Sequence, residues 1–327
     1  MPTPKPKRWL VFAIGLALLA GVIVIGLQLS EADDFVRFAE RAHPGWLLIA
    51  GVWQVGTYAA QGEIWRTVAR ASNSDLSFPD ACRISLAKQF VDQALPSAGV
   101  TGTVFTAGAL DARGFTRTTA WTAVAVNLIS YNVVYVAGLV VALGLGALHG
   151  RGSGVIIGVS IVFTLLSAGL TMAMLFLPGR TSHPVSRRVS KIPMIHGIVA
   201  HLESANARLV RDPGVLTIAV LWQIAIVAFD TLTLVALIES LGEHASLAGA
   251  FVSFMIASLV RSMGFVPGGL GTFEATSMLT LRMTGARVSV ALAATLMFRG
   301  LTFWLPMLPG LWFSRRLVPA ANPASDP

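Results

Sequence analysis

The sequence has 327 residues, of which 54% are hydrophobic and only 12% charged, with a formal net charge of +8. Soluble domains carry roughly 25% charged residues, so this chain has too little polar surface to cover a globule in water, and lipid is the solvent it fits. Cys82 is the single cysteine and the six histidines are scattered, which excludes an internal disulfide framework and leaves no metal or cofactor expected.

A spanning helix needs about 20 apolar residues. Residues 9–29 are the first such run and follow Lys5, Lys7 and Arg8. The run exceeds the roughly 7–15 residues of a signal-peptide core, so it reads as an uncleaved anchor. Residues 45–68 form the second span, 118–145 the third, 154–177 the fourth, 215–238 the fifth and 289–313 the sixth. Each must be helical, because amides in hydrocarbon need internal partners. Trp9, Trp46, Trp65, Trp121 and Trp312 near their ends fit an interfacial belt.

Two apolar stretches are interrupted. Residues 78–95 lead into Pro96, Gly99 and Gly102, and residues 103–112 follow. Residues 247–265 lead into Pro267, Gly268, Gly269 and Gly271, and residues 272–283 follow. Proline removes a donor and clashes with the preceding turn, and the neighbouring glycines disfavour a helix. Each stretch therefore reads as two short helices around a turn, re-entering the side it came from. The alternative is two complete spans in each stretch, giving up to ten helices.

The cations cluster between the apolar runs, which reads as topology and anionic lipid rather than nucleic acid. The positive-inside rule places both termini in the cytoplasm of an inner-membrane protein. Arg66, Arg70, Arg180, Arg187, Arg188, Lys191, Arg315 and Arg316 then lie inside, with Arg282 and Arg287 as exceptions. Residues 186–210 form a basic, amphipathic cytoplasmic linker, either lying on the leaflet or packed on the bundle.

The expected fold is all-α: one transmembrane domain over residues 1–327, with about six full spans and two re-entrant helix pairs. A shift of 171 positions carries Pro96 onto Pro267 and Gly114 onto Gly285. Residues 9–147 and 154–316 thus read as two repeats, the second inverted. Inverted repeats with discontinuous helices are a feature of transporters.

Ionisable residues inside spans are expensive and point to function. Here they are Arg261, Glu274 and Arg299, then Glu63, Lys88, Asp92 and Asp230. Lys88 and Asp92 are four apart and share a helix face. Glu63 and Asp230 read as interfacial. Arg299 needs a carboxylate on another helix or a lipid phosphate. Glu274 is the foremost carboxylate, or else a residue that satisfies the amides of its own first helical turn. The helix ends near residues 101–103 and 272–274 carry free amides that suit an anion. The expected translocation site joins Pro96, Gly99, Gly102, Arg261, Pro267, Gly268, Gly269, Gly271, Glu274 and Arg299. No Walker sequence or nucleophile elbow is present, so no catalytic constellation is expected.

The stretch from Pro267 to Glu274, then Gly285 and Arg299, resembles the lysylphosphatidylglycerol synthase transmembrane-domain (flippase-like) family. The resemblance spans essentially the whole chain. It implies a membrane domain that moves lipid between leaflets, without the aminoacyl-transferase domain that follows it in full-length synthases. The partner it implies is a membrane lipid, with an anionic headgroup fitting the site. Two other readings are a non-transporting partner subunit of a lipid-modifying enzyme and a small-solute permease. The permease would need more polar residues in its spans than Asn127, Asn132 and Gln223.

Overall fold

The computed structural model describes residues 42–95, 99–148, 154–176, 202–262 and 266–317. The expected first span at 9–29, Pro96 and most of the 186–210 linker lie outside these residues. The described residues form helices and turns without strands.

Helix α1 is Pro44–Ala71, with proline in its first turn, where a missing amide costs nothing. Helices α2 (Phe78–Ala94) and α3 (Val100–Asp111) flank the first interruption. Helices α4 (Arg117–Leu148) and α5 (Gly154–Phe176) follow. The short α6 (Ala207–Val210) is capped by the Asn206 side chain, and α7 (Pro213–Ser240) by Asp212. Helices α8 (Leu247–Ser262) and α9 (Thr272–Met283) flank the second interruption, with a tight turn at Pro267–Gly269 between them. Helix α10 (Val288–Arg299) continues through a widened turn at Gly300–Trp304 into α11 (Leu305–Leu317).

Among the described residues, three helical segments are long and apolar enough to cross a membrane: Arg117–Ala147, Pro213–Ser240 and Val288–Leu317. Helix α1 is equally long but less apolar, because Gln54, Thr57, Tyr58 and Gln61 interrupt it. Outward faces carry Leu48, Val52 and Val55 on α1, Leu165 and Leu166 on α5, and Leu305 and Leu308 on α11. Such exposed apolar rows suit hydrocarbon.

Antiparallel packing of α1 on α7 forms the axis of the bundle. The His43 amide donates to the Ser240 carbonyl at one end, and Trp53 stacks on Phe229 further along. A Cβ on Gly56 would lie 3.1 Å from the Phe229 ring, so the small residue permits this approach.

Both interrupted stretches fold as helical hairpins that return to their starting end. In the first, Arg113 just beyond α3 pairs with Asp80 at the start of α2, 3.4 Å away. In the second, Thr284 just beyond α9 sits against Gly249 at the start of α8. The hairpins approach from opposite ends. The α2–α3 mouth lies beside Arg66 of α1, whose guanidinium contacts the Leu76 carbonyl and the Phe78 ring. The α8–α9 mouth lies at the His43–Ser240 end, where Arg287 pairs with Glu243. Each interrupted stretch thus returns to the end it came from, with the second arms α3 and α9 each twelve residues long.

Charge separates along the same axis. Arg66, Arg70, Arg83, Arg113, Arg208, Arg211 and Arg316 gather at the α2–α3 mouth end and outnumber Glu63, Asp80 and Asp212 there. The opposite end carries Glu239, Glu243 and His244 with Arg282 and Arg287. One apolar core, around Trp65, Ile84 and Leu110, fills the basic end, and a second, around Leu237, Met255 and Leu281, fills the other. Leu202, Ala205 and Val210 of the linker are buried in the first core, and the Asn206 amide donates to Thr122. This end of the linker packs on the bundle rather than lying apart from it.

Candidate site at the hairpin tips

The two tips are held by opposite chemistry. At the first, the Asp92 carboxylate accepts from the Gly102 amide at 3.1 Å and from Lys88 at 2.6 Å. The i,i+4 pair expected from spacing thus forms, and its carboxylate also fills the amino-terminal end of α3. That end, expected to take an external anion, holds an internal one instead, because Asp92 lies one helical turn before the break and reaches back to it. A Cβ on Gly102 would lie 2.1 Å from Asp92 Oδ1, so only glycine admits the carboxylate. Gly99 opens α3 in the left-handed region at φ 84°.

The second tip is held by Arg299. Its Nε donates to Glu274 Oε1 and its Nη2 to the Gly268 carbonyl, both at 2.8 Å. The Arg299 side chain is 4% exposed and that of Glu274 0%. The guanidinium is also flanked by the Phe273 and Phe303 rings, 5.2 and 4.4 Å from their centroids. Gly271 precedes α9 without a side-chain cap. Glu274 therefore reaches across to α10 and does not cap its own helix. Of the two partners considered for Arg299, the carboxylate on another helix is the one in place.

Hydroxyl contacts complete this hairpin. Thr280 donates to Ser253, the Ser253 hydroxyl donates to the Ser277 carbonyl, and Thr295 donates to the Ser277 hydroxyl, joining α8, α9 and α10. The widened turn after Arg299 presents the Thr302 carbonyl to Gln93 Nε2 at 3.0 Å, tying α2 to α10.

Arg261 differs from Arg299. It ends α8 beside the tip, where a Cβ on Gly269 would lie 2.4 Å from its Cγ. The bare Gly269 backbone thus packs on its stem. Arg261 is half-buried and, among the described residues, forms no ion pair. It lies in electrostatic range of Tyr131, Tyr135, Asp230 and Asp92.

Asp230 is not interfacial as expected. It lies well inside α7, facing the middle of α1, where its Oδ1 accepts from the Thr57 hydroxyl at 3.1 Å. Glu63 does lie near the end of α1, in a cluster with Arg66 and Arg70. Gln61 bonds Asn127 at 2.9 Å. Gln54 Oε1, the Tyr58 hydroxyl and the Ser258 hydroxyl are buried without partners among the described residues. A polar layer thus crosses the bundle between its two apolar cores. Apart from Asn127, noted among the few polar residues of the spans, its members on α1 and α4 were missed from sequence. The signal was available: Gln54, Thr57, Tyr58 and Gln61 recur at helical spacing, as do Asn127, Tyr131 and Tyr135.

The described residues contain no group of three or more His, Cys, Asp or Glu side chains placed to hold a metal. A family model described as the lysylphosphatidylglycerol synthase TM region matches residues 8–310. A UPF0104 membrane protein of Pyrococcus horikoshii is 21% identical over 327 aligned residues, covering 93% of this chain and 95% of the relative.

Proposed function

The chain belongs to the lysylphosphatidylglycerol synthase TM-region family, and from that premise we propose that it is a non-enzymatic translocator moving phospholipid or glycolipid between the leaflets of the inner membrane. One observation carries this reading. Two helical hairpins approach from opposite ends and stop at a shared polar layer, where Arg261 carries a charge without an ion-pair partner among the described residues.

The physical logic is alternation. Helices that stop inside the bundle leave polar backbone at mid-depth, where it is tolerated only if it lines protein or a polar passage. Two hairpins of opposite direction allow two related packings, each open to one leaflet. This supports reading residues 9–147 and 154–316 as inverted repeats. Arg261 offers a phosphate its first contact. Arg299 and Glu274 hold the second tip in shape, and Asp92 with Gly102 the first. The basic end, where α11 finishes, faces the cytoplasm in this reading, and a first span at residues 9–29 would return the amino terminus to the same side.

The test is a leaflet-resolved assay with purified protein in vesicles of phosphatidylethanolamine and phosphatidylglycerol. Fluorescent phosphatidylglycerol crossing faster than in protein-free vesicles supports the proposal. No acceleration for any phospholipid or glycolipid, together with a lipid-modifying enzyme that co-purifies, supports a partner-subunit role instead.

A further inference from the structure

We propose that Asp230 and Arg261 form a linked site for a proton and a phosphodiester anion, so that an anionic lipid crosses together with one proton. This deepens the translocator reading and rests on it.

The argument begins with charge. Asp230 is placed on α7 between α1 and α8. From α1 it meets Thr57, whose hydroxyl donates to it, and the uncharged Gln54 and Tyr58. Arg261 of α8 and Tyr135 of α4 lie in its electrostatic range. On α10, which also packs on α7, Arg299 is committed to Glu274 and Gly268. Lys88 and Asp92 of α2 neutralise each other at 2.6 Å. The layer therefore holds one positive and one negative charge that are not closed into an ion pair, among groups that are otherwise neutral or mutually paired.

A phosphodiester arriving at Arg261 adds one negative charge inside the bundle, where Arg261 and Asp230 are both partly buried. With Asp230 ionised, the loaded layer has a net charge of −1. If the Asp230 carboxylate takes up a proton from solution, the loaded layer is neutral, like the empty one. A net charge at mid-membrane is costly, so both forms that must reorient are favoured when proton and phosphate bind and leave together. Linkage makes the coupling reciprocal: protonation raises anion affinity, and the anion raises proton affinity.

Binding can be read without transport. Purified full-length protein in detergent is titrated with dihexanoyl phosphatidylglycerol between pH 5 and 9, where neither the phosphodiester nor arginine titrates. The wild type is expected to weaken about tenfold per pH unit over part of this range, the slope for one linked proton. D230N should bind at a pH-independent affinity, and D230E should keep the slope. R261Q should bind weakly throughout. Thermal melting of each variant separates these effects from misfolding. A flat wild-type profile, or an equal slope in D230N, overturns the linkage. Glycerophosphoglycerol is the soluble comparison: binding as tight as the lipid overturns the lipid assignment. In vesicles, lipid movement without accompanying proton uptake overturns this proposal and leaves translocation standing, whereas no lipid movement overturns the reading beneath it.

Discussion

Arg299 on α10 donates to the carboxylate of Glu274 on α9 and to the carbonyl of Gly268, so a single side chain fastens the second hairpin tip to its neighbouring helix. Removing one partner of a buried pair leaves an uncompensated charge at a cost of about 3–5 kcal/mol. R299Q or E274Q alone should lower the thermal midpoint of the purified protein markedly. The double variant R299M/E274L should recover much of the loss, since the pair is enclosed by Phe273 and Phe303. Equal loss in the double variant would show that the charge pair itself is not what matters.

Gly268 lies at φ 58°, and an added Cβ would meet the Phe303 ring at 2.2 Å. G268A therefore combines backbone strain with overpacking, each costing roughly 1–3 kcal/mol. Differential scanning fluorimetry should show a destabilised protein, with F303A offering partial relief. The relief is incomplete because the backbone strain stays.

At the first tip, G102A should expel the Asp92 carboxylate from the end of α3. About 1–3 kcal/mol is lost when the amide and Lys88 lose their acceptor. D92A shortens the side chain that the methyl would strike. G102A/D92A should therefore be no less stable than D92A alone, and additive losses in a thermal-melt cycle would contradict the geometry.

Opposite hairpin directions can be read by labelling. In a C82S background, Asp75→Cys and Ala112→Cys should react with an impermeant maleimide from one face of the membrane only. His244→Cys and Arg282→Cys should react from the other face only. Ala112→Cys reacting from the His244 side would mean that the first interrupted stretch crosses fully.

R261Q should slow lipid movement about tenfold or more, the scale of a lost charge-assisted hydrogen bond, while leaving the melting temperature near wild type. R261K should retain part of the rate, because it keeps the charge and loses only the planar fork. The vesicle assay reads both. A rate unchanged in R261Q would remove this residue from the site.

Much of the architecture followed from one-dimensional patterns. Hydropathy set the helix positions: the expected second span at 45–68 is α1, and the fifth at 215–238 lies within α7. Proline beside glycine set the breaks, and α2 and α3 end and begin within a few residues of the expected limits, with Gly102, expected in the break, falling in the first turn of α3. The Lys88–Asp92 pair was equally legible, because i,i+4 spacing on a helix is fixed by local geometry.

Longer-range pairings were not. That Glu274 turns to Arg299, 25 residues away, and that Asp92 fills the end of α3 depend on how the tips fold back. Asp230 read as interfacial because hydropathy locates a residue along its own helix and is silent on its neighbours. Antiparallel packing against α1 brings it opposite Thr57, 173 residues away in sequence. Local chemistry thus settled where helices run and where they stop. Only tertiary packing decided which charges meet, because a mid-membrane charge takes its partner from whichever helix is adjacent in space.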